Sequence, residues 1–112
     1  MSAYPTPFNE LNLSVLRGPK TTDGSLVGFS DHSDPSLTHT GALAVAAGAT
    51  IIEAHLRSDD TNPDNPDYDH AMTTDQFLSY VAQIRMVETA LGSGFKGRQP
   101  CEEPMIPYRV QP

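Results

Sequence analysis

"GATIIEAHL", residues 48 to 56, decides the fold. The β-branched run Thr50-Ile51-Ile52 favours a pleated strand, with Gly48 on one side and a polar run on the other marking its limits. Upstream, the small-residue segment "LTHTGALAVAA" (37–47) suits a helix that Gly48 stops. Before it, "SLVGF" (25–29) reads as a brief buried strand following the turn chemistry of "KTTDG". Downstream, Thr74 or Asp75 can cap a strongly periodic helix in which Phe77, Tyr80, Val81, Ile84, Val87 and Leu91 share one face. It ends at "GSG" (92–94). "FNELNLSVLRG" (8–18) has helical spacing as well, and gives a short helix before the first strand.

Strands alternating with helices specify parallel βαβ units with a right-handed crossover. Parallel sheets are buried on both faces, and two strands cannot satisfy that requirement alone. The pattern is therefore a slice of an α/β fold.

Composition narrows the function. Seven Lys and Arg against fourteen Asp and Glu give a net charge of −7, which opposes nucleic acid and anionic membranes as partners. The single cysteine, Cys101, has no intramolecular partner, so a disulfide framework is excluded and a cytoplasmic setting is expected. The N-terminus has neither a basic start nor an apolar h-region. "GALAVAAGATII" (41–52) is too short to cross a bilayer.

Ligand chemistry in parallel α/β sheets gathers where strands end. His32 in "GFSDHSD" (28–34) lies just past the first strand, and His55 ends the second. Their separation of about one βα repeat would bring both imidazoles to one rim. Side-chain alternation puts Gly28, Ser30 and His32 on one side and Glu53 and His55 on one side, opposite Ile52 and Ala54. If Ile52 and Ala54 face the covering helices, an acid and a histidine face inward and need partners. A divalent cation held by two neutral imidazoles would supply one. Hydrogen-bonded structural histidines are the alternative that spacing leaves open. His39 and His70 read as surface or capping residues. The loop 57–70 holds five Asp among Asn and Pro, but lacks the alternation and terminal Glu of a calcium loop.

The ordered set "SAYPTPFNELNL", "VGFSDHS", "AAGATIIEAHL" and "NPDYDHAMTTDQFLSYVAQIRMVETALGSG" resembles the later part of the sialic acid synthase catalytic barrel. The resemblance covers roughly residues 2 to 94. It implies a partial TIM barrel, the last two βα units with a preceding helix, without the antifreeze-like domain. Residues 95–112, with "CEEPMIPYR", look like the linker that follows the barrel.

The family condenses phosphoenolpyruvate with the open-chain aldehyde of an N-acyl hexosamine such as N-acetylmannosamine, releasing phosphate. The resemblance assigns a divalent metal, Mn2+ or Mg2+, to His32 and His55. It assigns phosphoenolpyruvate contacts to Ser2 and Ser30, sugar contacts to Tyr4 and Asp67, and an orienting role near the reaction to Glu53. Two departures mark a divergent subfamily: Ala54 where Lys is usual, and Asn65 where Gly precedes Pro-Asp. With most of the barrel wall absent, the segment is expected to be inactive alone. A complementary barrel chain or self-association would complete it. The alternative is a non-catalytic oligomerisation or partner-binding module derived from that barrel.

Overall fold

The structure, a computed structural model, describes residues 3–18 and 23–109. Two strands, β1 (Gly28–Asp31) and β2 (Ile51–Ala54), form a parallel pair, connected by helix α1 (Thr40–Ala46) and followed by helix α2 (Thr74–Leu91). In the ladder, Gly28 pairs with Ile51, Phe29 with Ile52, Ser30 with Glu53 and Asp31 with Ala54. This is the expected α/β arrangement.

Alternation along β1 separates two environments. Phe29 and Asp31 are buried towards the helices, while Gly28 and Ser30 are exposed. On β2, Ile51 and Glu53 are exposed, and Ile52 and Ala54 are half-buried. The condition set on Ile52 and Ala54 is met, so Glu53 faces the open side of the sheet. Leu11, Phe29, Ala44 and Ala49 form the apolar centre, with Leu13, Leu16 and Ile52 packed against it. Burial of a side chain such as Phe29 contributes on the order of 1.5–3 kcal/mol.

Several boundaries differ from the sequence reading. β1 starts three residues and ends two residues later than the "SLVGF" reading (25–29), and its last residue, Asp31, is buried with its carboxylate hydrogen-bonded. The segment 8–18 is not one helix but two 3-10 turns, Phe8–Glu10 and Leu13–Arg17. Asn12 between them has φ 48°, a left-handed conformation that no continuous right-handed helix contains. Thr73, not Thr74 or Asp75, caps α2: its hydroxyl accepts from the Gln76 N–H, and the Gln76 side chain accepts from the Thr73 N–H. Gly48 has φ 117°, which supports its place as the stop after α1. The 95–112 tail carries 3-10 turns over Pro100–Tyr108, fastened by Arg98–Glu103 (3.0 Å) and Arg109–Glu102 (3.5 Å) ion pairs.

α2 is joined to β1 by a buried polar contact. The Tyr80 hydroxyl donates to Asp31 Oδ2 at 2.7 Å, and Asp31 Oδ1 accepts from the Ser33 N–H at 2.9 Å. Both Tyr80 and Asp31 are almost completely enclosed. Burial, then the Asp31 charge and this hydrogen bond, push the phenol well above its ordinary pKa and keep it a donor. The ring fits because α1 has no side chain at Gly41, where a Cβ would lie 2.3 Å from Tyr80 Cζ.

The sheet is otherwise open. Leu26, Ile51 and Leu56 are 70, 55 and 56% exposed, and the radius of gyration of 18.6 Å exceeds the roughly 13–14 Å of a compact domain of this length. Among the described residues no helix is long and apolar enough to cross a membrane.

Two substitutions test the α2 anchor by chemical denaturation. Gly41→Ala should destabilise by about 1–3 kcal/mol through overpacking against Tyr80. Tyr80→Phe should cost a similar amount, about 1–3 kcal/mol, by depriving one oxygen of a buried carboxylate of the Tyr80 donor. Unchanged midpoints for both would show that α2 is not held this way.

Candidate functional site

The ladder fixes the site. Each paired residue on β2 lies 23 positions after its partner on β1, and one further step sets His55 level with His32. Their ring centroids are 5.0 Å apart.

Two further segments are fastened to the same rim by backbone hydrogen bonds. The Thr6 N–H donates to the His32 carbonyl at 2.8 Å, in an isolated bridge between Thr6 and Ser33. This seats Tyr4 against His32, with centroids 4.6 Å apart; the Tyr4–Pro5 peptide is cis. The Met72 N–H donates to the His55 carbonyl at 2.8 Å, and the Arg57 N–H to the Met72 carbonyl at 2.8 Å, in a bridge between Leu56 and Met72. That bridge closes the acidic loop at its base and returns His70 to the rim.

The loop itself is built from turns. Asn62 Oδ1 accepts from the Asp64 N–H, and Asn65 Oδ1 from the Asp67 N–H, both at 2.9 Å. Arg57 stacks on the Tyr68 ring at 4.0 Å and donates to its carbonyl at 3.1 Å. Asn65 therefore supplies the turn that presents Asp67.

His70 is the principal correction to the sequence reading. It is neither on the surface nor a cap: it is 2% exposed, with its ring 4.7 Å from His55 and 5.1 Å from His32. The available signal was its position immediately before Ala71 and Met72, an apolar pair that had to be buried. One nitrogen from each of His32, His55 and His70 lies within 4.8 Å of the others. His32 Nδ1, His55 Nδ1 and both nitrogens of His70 are buried without a hydrogen-bond partner. Asp67 approaches from the solvent side, 3.4 Å from His70 Nε2 and 4.0 Å from His55 Nε2. Burial, then the neighbouring His55 and His32, lower the His70 pKa against the opposing pull of Asp67 and Asp69, so its ring is neutral at neutral pH with a lone pair free to coordinate.

Four buried ring nitrogens without partners would each carry a desolvation penalty. Imidazoles converging on one point suit a divalent cation, so the donor set fits such an ion. Of the remaining expected residues, Tyr4 and Asp67 touch the imidazole cluster. Ser30 and Glu53 are cross-strand partners on the exposed face, Tyr4 covers His32 and His70, and Asp67 borders the cluster. Ser2 lies outside the described residues. His39 is exposed at the start of α1 without a side-chain capping bond, apart from the cluster. Asp31, absent from the sequence reading, holds the strand between Ser30 and His32 through Tyr80.

Parallel strands crossed by helices, with polar side chains collected at the strand ends, define an α/β fold with its site at the strand ends. A solved N-acetylneuraminic acid synthetase from Leptospira borgpetersenii superposes with a TM-score of 0.83 at 31% identity, over 97% of this chain and 37% of that one. The model of the NeuB family matches residues 1–96, and the chain belongs to that family.

An N,N'-diacetyllegionaminic acid synthase of Campylobacter jejuni is 35% identical over 92% of this chain and 30% of its own length. A pseudaminic acid synthase of Campylobacter jejuni is 37% identical over 83% of this chain and 26% of its own. The chain thus spans under a third of the length of these curated relatives.

His70 also predicts a pH dependence. Its folded pKa lies below the unfolded value near 6.5, so the unfolded chain takes up the proton first as pH falls. The stability is present in full above pH 6.5 and is lost below it. In chelator-treated buffer, the denaturation midpoint should fall more steeply between pH 7.5 and 5.5 for the wild type than for His70→Gln. Parallel pH profiles would contradict a buried neutral His70.

Proposed function

We propose that these residues form part of the active site of a nonulosonic acid synthase, which joins phosphoenolpyruvate to an N-acyl hexosamine such as N-acetylmannosamine. The observation that carries this reading is the meeting of His32 and His55 at one rim with Tyr4 and Asp67 against them, Ser30 and Glu53 lying two residues before the histidines on the same alternation. The family to which the chain belongs supports it, as do relatives that are synthases of acidic sugars. Those relatives differ in the sugar they make, and Asn65, one of the two departures, forms the turn that carries the proposed sugar contact Asp67.

His32 and His55 would hold the divalent ion, Mn2+ or Mg2+ as the resemblance implies. When bound, such an ion polarises a carbonyl oxygen and fixes it for attack. The chain's own groups do the rest. The Ser30 hydroxyl donates to the phosphate of phosphoenolpyruvate. Asp67 accepts hydrogen bonds from sugar hydroxyls, and Tyr4 packs against the substrate beside the imidazoles. Glu53, two residues before His55 on the same side, orients the sugar for approach by the enol carbon. Holding both reactants in one geometry removes much of the entropic barrier to their joining.

The exposed side of the sheet, with Ile51 and Leu26 uncovered, favours completion by further barrel strands. The 112 residues assayed alone should therefore not turn over. Mixed with a chain carrying the earlier barrel strands of a relative, they should release phosphate from phosphoenolpyruvate only when N-acetylmannosamine or a related N-acyl hexosamine is present. His32→Ala should abolish the release. Formation of the complex without phosphate release, across N-acyl hexosamines, would sink the catalytic reading and leave a partner-binding module in its place.

A further inference from the structure

We propose that His70 is a third imidazole ligand, making the rim a three-histidine site that takes a late first-row divalent cation such as Zn2+ or Co2+ far more tightly than Mg2+. The inference rests on the metal reading above and extends it to a residue outside the two strand ends.

Position carries the first part. His70 reaches the cluster because the Leu56–Met72 bridge draws the far end of the loop back beside His55. It is the most enclosed ring of the three, and both of its nitrogens lack hydrogen-bond partners. A histidine that only filled space beneath the loop would satisfy at least one nitrogen from a backbone carbonyl, as buried polar groups generally do. Here the neighbouring groups at the open nitrogens are two other imidazoles and the Asp67 carboxylate.

Ligand chemistry carries the second part. Three imidazoles form a nitrogen donor set of borderline softness, which suits zinc and its neighbours. Mg2+ demands oxygen ligands and keeps its waters. The affinity order for divalent ions at nitrogen sites rises from Mn2+ through Co2+ towards Cu2+, with Zn2+ well above Mn2+. Zinc–nitrogen bonds of about 2.0 Å place tetrahedral ligand atoms roughly 3.3 Å apart, so binding draws the rings inward from an outermost separation of 4.8 Å. Asp67, 3.4 Å from His70 Nε2, is placed to hydrogen-bond a coordinated ring or to complete the ligand set. Three protein ligands leave a position open for a substrate oxygen, which keeps the site compatible with the proposed condensation.

Three ligands also let this segment bind metal by itself, since all of them lie between residues 32 and 70. The full 112-residue chain, prepared without a histidine tag, is titrated with Co2+ and followed by its visible absorption, with Mg2+ as competitor. The wild type should bind one equivalent that excess Mg2+ does not displace. His70→Ala should weaken binding at least roughly tenfold, since even groups that only orient a metal ligand contribute 10- to 100-fold. His39→Ala should leave binding unchanged.

Long-range proton–nitrogen spectra of the wild-type histidine rings with Zn2+ give the same information without a variant that might misfold. Three rings should shift and His39 should not. If only His32 and His55 respond and His70→Ala binds as the wild type does, the third ligand is refuted while the two-histidine site stands. If no ring responds, both fail.

Discussion

The ladder offset between β1 and β2 is the constraint on which the remainder rests. Because Ser30 faces Glu53 and Asp31 faces Ala54, the next residue on each strand is a histidine, and the two imidazoles are level. A slip of one residue would turn Glu53 towards the helices and His55 away from His32, since strand side chains alternate faces. Burial opposes the slip: Phe29 and Ile52 belong to the apolar side, and Asp31 is tied to Tyr80 there.

The histidine carbonyls extend this constraint to the loops. Each ends a strand with an acceptor pointing sideways, and each is met by an incoming N–H, from Thr6 at His32 and from Met72 at His55. The same backbone positions that carry the imidazoles therefore recruit Tyr4 and His70. A buried carbonyl without a donor is costly, so the pairing that satisfies the main chain also assembles the site. α2 contributes from behind, through the Tyr80–Asp31 contact and the absence of a side chain at Gly41.

Much of this was legible in the residues. β-branched Thr50 to Ile52 marked β2, the regular spacing of Phe77 to Val87 marked α2, and the separation of His32 from His55 anticipated the offset. What escaped has physical causes. A left-handed Asn12 interrupts a pattern that periodicity alone joins into one helix. The polar end of β1 hid the strand's extent, because Asp31 is buried by a partner 49 residues away. His70 was obscured by the acidic, Pro-rich loop around it, and only the two-residue bridge at the loop's base shows that chain distance and spatial distance part company there.

The rim thus joins a strand pair to two segments fastened by backbone hydrogen bonds, and on our proposal its three rings share one ion. Crystals of the full chain grown with zinc, measured on either side of the zinc absorption edge, test this most directly. The expected result is one strong anomalous peak enclosed by the rings of His32, His55 and His70. A peak with His70 turned away, or none among the three rings, would contradict it.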